Sequence, residues 1–318
     1  MKIIRSLKEF PGDKPVSACI GNFDGIHSGH FDIIKECKSN EGLTTVITFD
    51  KHPREFLFPD FAPEKLTLKN EKFSFFSDLG VDLVLELPFS EFYGVKPLKF
   101  IDILNEAICL RSVTIGFNFY FGKDQEGTAE LLHWWGRSSG VKIAVIPPTI
   151  QHGIRVSSTA IRELIVSGNI EKATSFLTFP FVLSGEIIRG RQIGREMNFP
   201  TINIDLPEKI IPPDGVYITQ TVVAGVQRPS LTNIGRNPTV DDESIQRKIE
   251  TWVVDEQLDE LYGKYASIYF FKKIRNEIRF SSKEKLYAKV HEDREKFYEF
   301  WKDREIKALP DTDWENRS

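Results

Sequence analysis

An α/β domain built on a doubly wound parallel sheet, followed by a small antiparallel β-barrel that ends in a helix, is the architecture this sequence predicts. Two observations carry it. Short apolar runs alternate with helix-like spacing from Val16 to about Ile146, and after Phe181 strand-like runs continue, separated by turn residues, with no helix until about Ser282. A length of 318 residues is material for two ordinary domains. We expect a first domain over 1–182, a second over 183–306, and a polar, frayed tail over 307–318.

In the first part, "VSACIG", "TTVITF", "VDLVLEL", "SVTIGF" and "VKIAVI" have the length and β-branched content of buried strands. Between them Phe31 to Cys37, Lys69 to Leu79, Lys99 to Ile108 and Glu130 to Arg137 read as helices. "RVSSTAIRELIVSGNIEKATSFL" should be helical, capped by Ser or Thr, and should close the first domain. In the second part, "VLSGEIIRG", "TINIDL", "GVYITQTVVAGV", "PSLTNIG", "RKIETWVVD" and "YASIYFFKKIRNEIRF" read as strands of a barrel. Leu286, Val290, Phe297 and Trp301 place a last helix over Lys283 to Trp301.

The formal charge of −4 is spread without a basic arm, and no helix-turn-helix stands out, so a nucleic-acid partner is not expected. Cys19, Cys37 and Cys109 lack CxxC spacing and read as small buried side chains in a reducing compartment. "MKIIRSLKEF" is too short in apolar residues for a signal peptide, and no apolar run approaches the roughly 20 residues of a membrane helix. A cytoplasmic protein with small-molecule substrates and no membrane partner is expected; self-association stays open.

The chemistry begins at "CIGNFDGIHSGHFDII". Gly21 and Gly25 let backbone approach a bulky ligand at the carboxyl end of a strand. His27 and His30 then fall in the first turn of a helix, where unpaired amides and the positive dipole end attract phosphate. Two imidazoles there can donate to oxygens that gain charge during phosphorus transfer.

"GNFDGIHSGH" resembles the G-x-F-D-G-x-H-x-G-H motif of the HxGH nucleotidyltransferases, and especially of the prokaryotic bifunctional riboflavin kinase/FAD synthetases. "TFDKHPREFL", "GFNFYFGKDQEGT" and "RVSSTAIRELI" resemble further segments of that family in order. The resemblance implies a nucleotide and flavin site that includes Gly21, Asn22, Phe23, Gly25, His52, Pro53 and Asn118. It also implies a triphosphate cradle of Arg155, Ser158, Thr159 and Arg162, which joins two permanent cations to hydroxyls at a helix start.

The second motif is "GEIIRGRQIGREMNFPTINI", which resembles the riboflavin kinase segment G-R-x-L-G-F-P-T-A-N. It brings Gly190, Gly194, Arg195 and Pro200 into the expected site. Thr201 and Asn203, two apart on a strand, share a face and offer two oxygens, suited to Mg²⁺ when ATP phosphates supply further ligands. Glu250 falls at the family's catalytic glutamate, which accepts the proton of the ribityl 5'-hydroxyl. The implied activity is ATP-dependent conversion of riboflavin to FMN, then adenylylation of FMN to FAD with release of pyrophosphate. A chain with one degenerate domain, or a flavin sensor without turnover, stands as the alternative.

The chain departs from the family at Lys51, Asn198, Trp252, Lys289 and "LTFPF". None of these removes a proposed catalytic group. They bear on flavin affinity and on packing.

Overall fold

The computed structural model describes residues 1–10, 12, 14–189, 199, 201–237, 246–254, 261–278 and 280–314. These residues form two compact units: Met1–Glu64 with Phe75–Ser158, and Lys65–Ser74 with Thr159–Ser318.

The first unit contains β1 (Lys2–Ile4), β2 (Val16–Ile20), α1 (Ser28–Lys38), β3 (Leu43–Phe49) and α2 (Pro53–Leu57). The chain division falls inside α3 (Lys69–Asp78), after which come β4 (Leu83–Leu87), α4 (Phe89–Phe92), α5 (Pro97–Ala107), β5 (Leu110–Gly116), α6 (Ala129–Ser139) and β6 (Lys142–Ile146). A two-residue hairpin, β7 (Ile150–Gln151) and β8 (Ile154–Arg155), closes the unit. The main sheet has the order β1-β4-β3-β2-β5-β6 with every pair parallel. Both faces are covered, so β2 and β4 are buried at every residue, as their continuous apolar runs require. The core runs through Ile20, Ile47, Leu85, Phe100, Leu104, Ile115 and Trp135. The order reverses beside β2: β3 and β4 extend to one side and β5 and β6 to the other. The carboxyl ends of β2 and β5 therefore flank the topological switch point, where open α/β sheets bind ligands. The five expected strands are β2 to β6, and the four expected helices are α1, α3, α5 and α6.

The chain divides again after the first residue of α7 (Ser158–Val166), and in the second unit the rest of α7 and α8 (Ile170–Phe176) precede β9 (Val182–Ile188), β10 (Thr201–Ile204), β11 (Gly215–Val223), β12 (Val226–Asn237), β13 (Gln246–Val253), β14 (Tyr265–Asn276) and α9 (Lys283–Trp301). The six strands close into an antiparallel barrel of order β10-β13-β12-β11-β14-β9. Inside it a chain of buried hydroxyls links three strands: Thr221 to Ser230, Ser230 to Thr219, Thr219 to Thr232 (each 2.8 Å) and Thr232 to Thr251 (2.9 Å). Each hydroxyl can both donate and accept, so the chain satisfies itself without water. On the outer face Val216, Ile218, Leu231 and Trp252 receive Phe297 of α9.

Three readings differ from the observed structure. "GVYITQTVVAGV" is not one strand: Ala224 and Gly225 take positive φ (48° and 75°) and turn β11 into β12, with alanine at a position where Asn is the usual cue. The helix after Ser158 breaks at Gly168 (φ 78°), and α8 is part of the second unit, where the Thr174 hydroxyl donates to the Phe270 carbonyl of β14 at 3.1 Å. The tail is docked through residue 314 rather than frayed. Thr312 is fully buried against Ser267 (2.6 Å), the Tyr269 hydroxyl donates to the Pro310 carbonyl (2.6 Å), and Gln220 donates to the Lys307 carbonyl (2.6 Å). A polar tail can dock where barrel side chains supply its hydrogen bonds.

A buried ion pair sits in the second unit. Lys209 Nζ lies 2.6 Å from Glu71 Oε2, with both side chains fully excluded from solvent. The Ser184 hydroxyl donates to the other carboxylate oxygen at 2.5 Å, the Leu68 amide to Oε2 at 2.8 Å, and Lys209 also donates to the Val182 carbonyl at 2.8 Å. A single cut leaves an uncompensated buried charge. Glu71→Gln or Lys209→Met should each cost about 3–5 kcal/mol in urea unfolding, while the double change Glu71→Leu with Lys209→Met should cost much less. Equal losses in single and double variants would show that the pair is not what holds this segment.

Candidate phosphate-directed sites on the two units

At the switch point the chain leaves β2 through Gly21 and enters α1 at Ser28. The loop is buried rather than solvated: Phe23 and Ile26 are 1% and 0% exposed and both take positive φ (51° and 38°). Left-handed backbone is unfavourable for such side chains and persists only where surrounding packing holds it. Phe23 is held edge-on by Phe76 and lies against His30. The Ser158 hydroxyl, at the start of α7, donates to the Asp24 carbonyl at 2.8 Å.

His27 is the N-cap of α1, its Nδ1 accepting the His30 amide at 3.2 Å. The two imidazoles stack with centroids 3.7 Å apart. Because Nδ1 accepts, the proton of neutral His27 sits on Nε2. Burial pulls its pKa from the ordinary 6.5 to about 4, so at pH 7 it is a neutral donor. Gly29 leaves the necessary room, since a Cβ there would lie 3.3 Å from both His27 Nδ1 and Thr149 Oγ1. Thr149 in turn donates to Asp32 of α1 at 2.9 Å, and Gln151 donates to Ser28 at 3.2 Å, so the hairpin and the helix start are tied together.

Asn118 follows β5 and is exposed. Arg155 on β8 is exposed, with its guanidinium 5.8 Å from the centre of the Phe117 ring, a platform that sequence reading left out. His52 caps α2 by accepting the Arg54 amide at 3.1 Å, with Pro53 at the first helical position. Beside them Phe56, Phe89 and Tyr93 form an aromatic cluster with centroid spacings of 5.4–6.2 Å, and Phe58 and Tyr93 are more than half exposed. The short helices α2 and α4 bring these rings together from two separate stretches of the chain. Thr159 and Arg162 lie on α7 and count with the second unit.

On the barrel, Asn203 of β10 stands directly opposite Glu250 of β13, and Thr201 opposite Trp252. Opposed residues of an antiparallel pair share a face, with Cβ atoms about 5 Å apart. This is the outer face, because Trp252 on it packs against Phe297 of α9, while Ile202, Ile204, Ile249 and Thr251 alternate with it toward the interior; the face is covered, with Asn203 only 6% exposed. Trp252 is covered by Phe199 (stacked, 4.5 Å), Phe297 (5.3 Å) and the Arg294 guanidinium (5.5 Å), so this departure from the family packs α9. Gly190, Gly194, Arg195 and Pro200, with Asn198, lie outside the described residues. The oxygens of Thr201 and Asn203 are hard donors on one face and fit Mg²⁺ in company with phosphates.

The sign of the His27 effect fixes a prediction. Its folded-state pKa (about 4) is below the unfolded one, so between pH 6.5 and 4 the unfolded chain binds more protons, and stability is lost as pH falls through that window. Compared with His27→Asn, which keeps a capping side chain, the parent should lose up to about 3 kcal/mol more stability over this range in unfolding titrations. Parallel curves would contradict the buried, neutral assignment.

Two family models match the chain, one described as FAD synthetase over residues 11–160 and one as riboflavin kinase over 177–301. Bifunctional riboflavin kinase/FMN adenylyltransferases are similar over nearly the whole chain. That of Escherichia coli K12 is 34% identical, covering 95% of this chain and 98% of the relative, and that of Buchnera aphidicola from Acyrthosiphon pisum is 34% identical over 92% and 96%. A crystal structure described as a macrolide-efflux protein from Streptococcus pneumoniae superposes with a TM-score of 0.80 and 27% identity, covering 92% of this chain and 97% of that one. Among the described residues no helix is long and apolar enough to cross a membrane. An HxGH-type helix start at the switch point of a parallel sheet and a carboxylate–amide row on a closed barrel agree with both family models, and the chain belongs to the bifunctional riboflavin kinase/FMN adenylyltransferase family.

Proposed function

We propose that the barrel unit phosphorylates riboflavin to FMN with ATP, and that the first unit joins FMN to the adenylyl group of a second ATP, giving FAD and pyrophosphate. One observation carries this reading: each unit presents its own phosphate-directed groups on a separate device, the buried helix start with His27 and His30 in one and the Asn203–Glu250 row in the other. Two matching family models and near-full-length bifunctional relatives support both activities together, which leaves a one-activity chain or a sensor without a supporting observation. ATP and riboflavin as substrates fit a cytoplasmic enzyme.

In the kinase step Glu250 accepts the proton of the ribityl 5'-hydroxyl as that oxygen bonds to the γ-phosphorus and the bond to the β,γ-bridging oxygen breaks, releasing ADP. Thr201 and Asn203 would hold Mg²⁺, which neutralises phosphate charge when bound. In the adenylyl step the FMN phosphate oxygen attacks the α-phosphorus and pyrophosphate leaves. His27, through Nε2–H, and His30 donate to the oxygens that gain charge, while Arg155 and Ser158 hold the remaining phosphates. Gly21, Asn22 and Gly25 bring backbone to the nucleotide, and Asn118 supplies a polar group at the end of β5. The exposed rings beside His52 and Pro53 suit a flat aromatic ring system such as a flavin. Both reactions then rest on positioning and charge neutralisation and need no covalent enzyme intermediate.

Separate sites give separable losses. Glu250→Gln should lower FMN formation by about 10²–10⁴-fold and leave FAD formation from supplied FMN unchanged. His30→Ala should do the reverse, with about 10²-fold or more lost from FAD formation. Chromatographic assays of FMN and FAD check both. Equal loss of both activities in either variant would contradict the assignment of one reaction to each unit.

A further inference from the structure

The row that joins Asn203 to Glu250 continues onto a third strand. Asn233 of β12 stands directly opposite Glu250 on its other side, and Asn203, Glu250 and Asn233 therefore share one face of the barrel across β10, β13 and β12. Glu250 is flanked by two carboxamides, and only one of them, Asn203, is accounted for by the kinase site as read above. Asn233 is half-buried, and Gly235, two residues on and on the same face, shapes the space beside it. A Cβ at Gly235 would stand 3.2 Å from Asn233 Nδ2 and 2.3 Å from Glu277 Oε1. The missing side chain thus lets a carboxamide nitrogen and a second carboxylate occupy the same patch. Glu277 is held there by accepting the Arg236 amide at 3.4 Å.

A carboxamide nitrogen carries two donors, and a carboxylate is an acceptor with several lone pairs. Asn233 and Glu250 are opposed in an antiparallel pair, with Cβ atoms about 5 Å apart, a separation that a carboxamide N–H can bridge to a carboxylate. A glutamate base has several rotamers, and only one of them aims an oxygen at a hydroxyl in line with a phosphoryl group; a misplacement of about 1 Å can cost on the order of 10²-fold in rate. We infer that Asn233 is a positioning residue of the kinase site, its carboxamide N–H groups holding the Glu250 carboxylate in the orientation that takes the substrate proton. This rests on Glu250 being the kinase base.

The role is donation, which makes its signature different from packing. Asn233→Asp is isosteric and removes the donor; Asn233→Ser is smaller and keeps one; Asn233→Ala removes both size and donor. With riboflavin and ATP as substrates and Mg²⁺ present, the Ala and Asp variants should lose about tenfold or more in kcat for FMN formation, with KM for riboflavin within about twofold, and Ser should recover at least about a third of the parent kcat. In a Glu250→Gln background the same three changes should add little, because residues acting as a unit are not additive. A ranking with Asp above Ser follows size rather than donation and overturns the inference, as does parent kcat in both Ala and Asp. If Glu250→Gln itself keeps parent FMN formation, it is the base assignment that falls, and that result is read independently of Asn233.

Discussion

A strand has two faces, and when both are buried chemistry can happen only where the strand ends. That constraint organises the first unit. Its strands β2 and β4 are buried at every residue and carry no free face, and the phosphate-directed groups gather at the carboxyl ends of β2 and β5, where the strand order reverses. The second unit obeys the same rule with the opposite outcome. Closing six strands into a barrel fills the interior with apolar side chains and hydroxyls, and leaves an outer face on which Thr201, Asn203, Glu250 and Asn233 stand in register. Period-two alternation turns these residues to the opposite face from Ile202, Ile204 and Thr251.

The two devices also differ in how they store order. The helix start depends on a buried loop in which Phe23 and Ile26 hold left-handed backbone, each at a cost of about 1–3 kcal/mol offset by packing. That loop delivers His27 to a position where its ring is desolvated, neutral and already engaged at Nδ1, so Nε2–H is left as the defined donor. The barrel needs no strained backbone at Glu250, because sheet register alone sets its neighbours. The buried pair of Glu71 and Lys209 serves stability: it ties Lys65–Ser74 to the second unit by charge and hydrogen bonds, beside the buried Leu66 and Phe73 of the same segment.

Much of this was legible in the sequence. Buried parallel strands announce themselves as continuous β-branched runs, α9 begins and ends where its apolar spacing says, and the glycine-rich stretch before His27 marks a strand-to-helix turn. What escaped is non-local or short. The three residues of β1 form an edge strand only because β4 is there to pair with, and the Ala224–Gly225 turn lacks the usual Asn. Glu71 and Lys209 are 138 residues apart, and nothing in either neighbourhood announces the other. Asn233 lay inside "PSLTNIG", read as a strand, yet its place beside Glu250 follows from the β12–β13 register, which a sequence without pairing information does not contain. The docked tail was misread for the same reason, since its partners are barrel side chains distant in sequence.

The most direct test of two sites working in succession is a time course with the purified chain, riboflavin, ATP and Mg²⁺, resolving riboflavin, FMN and FAD, beside a parallel reaction started from FMN. The account predicts that FMN rises first, that FAD follows at its expense, and that supplied FMN yields FAD without a lag. FMN that accumulates with no FAD from either reaction, or FAD from supplied FMN with none from riboflavin, would contradict it.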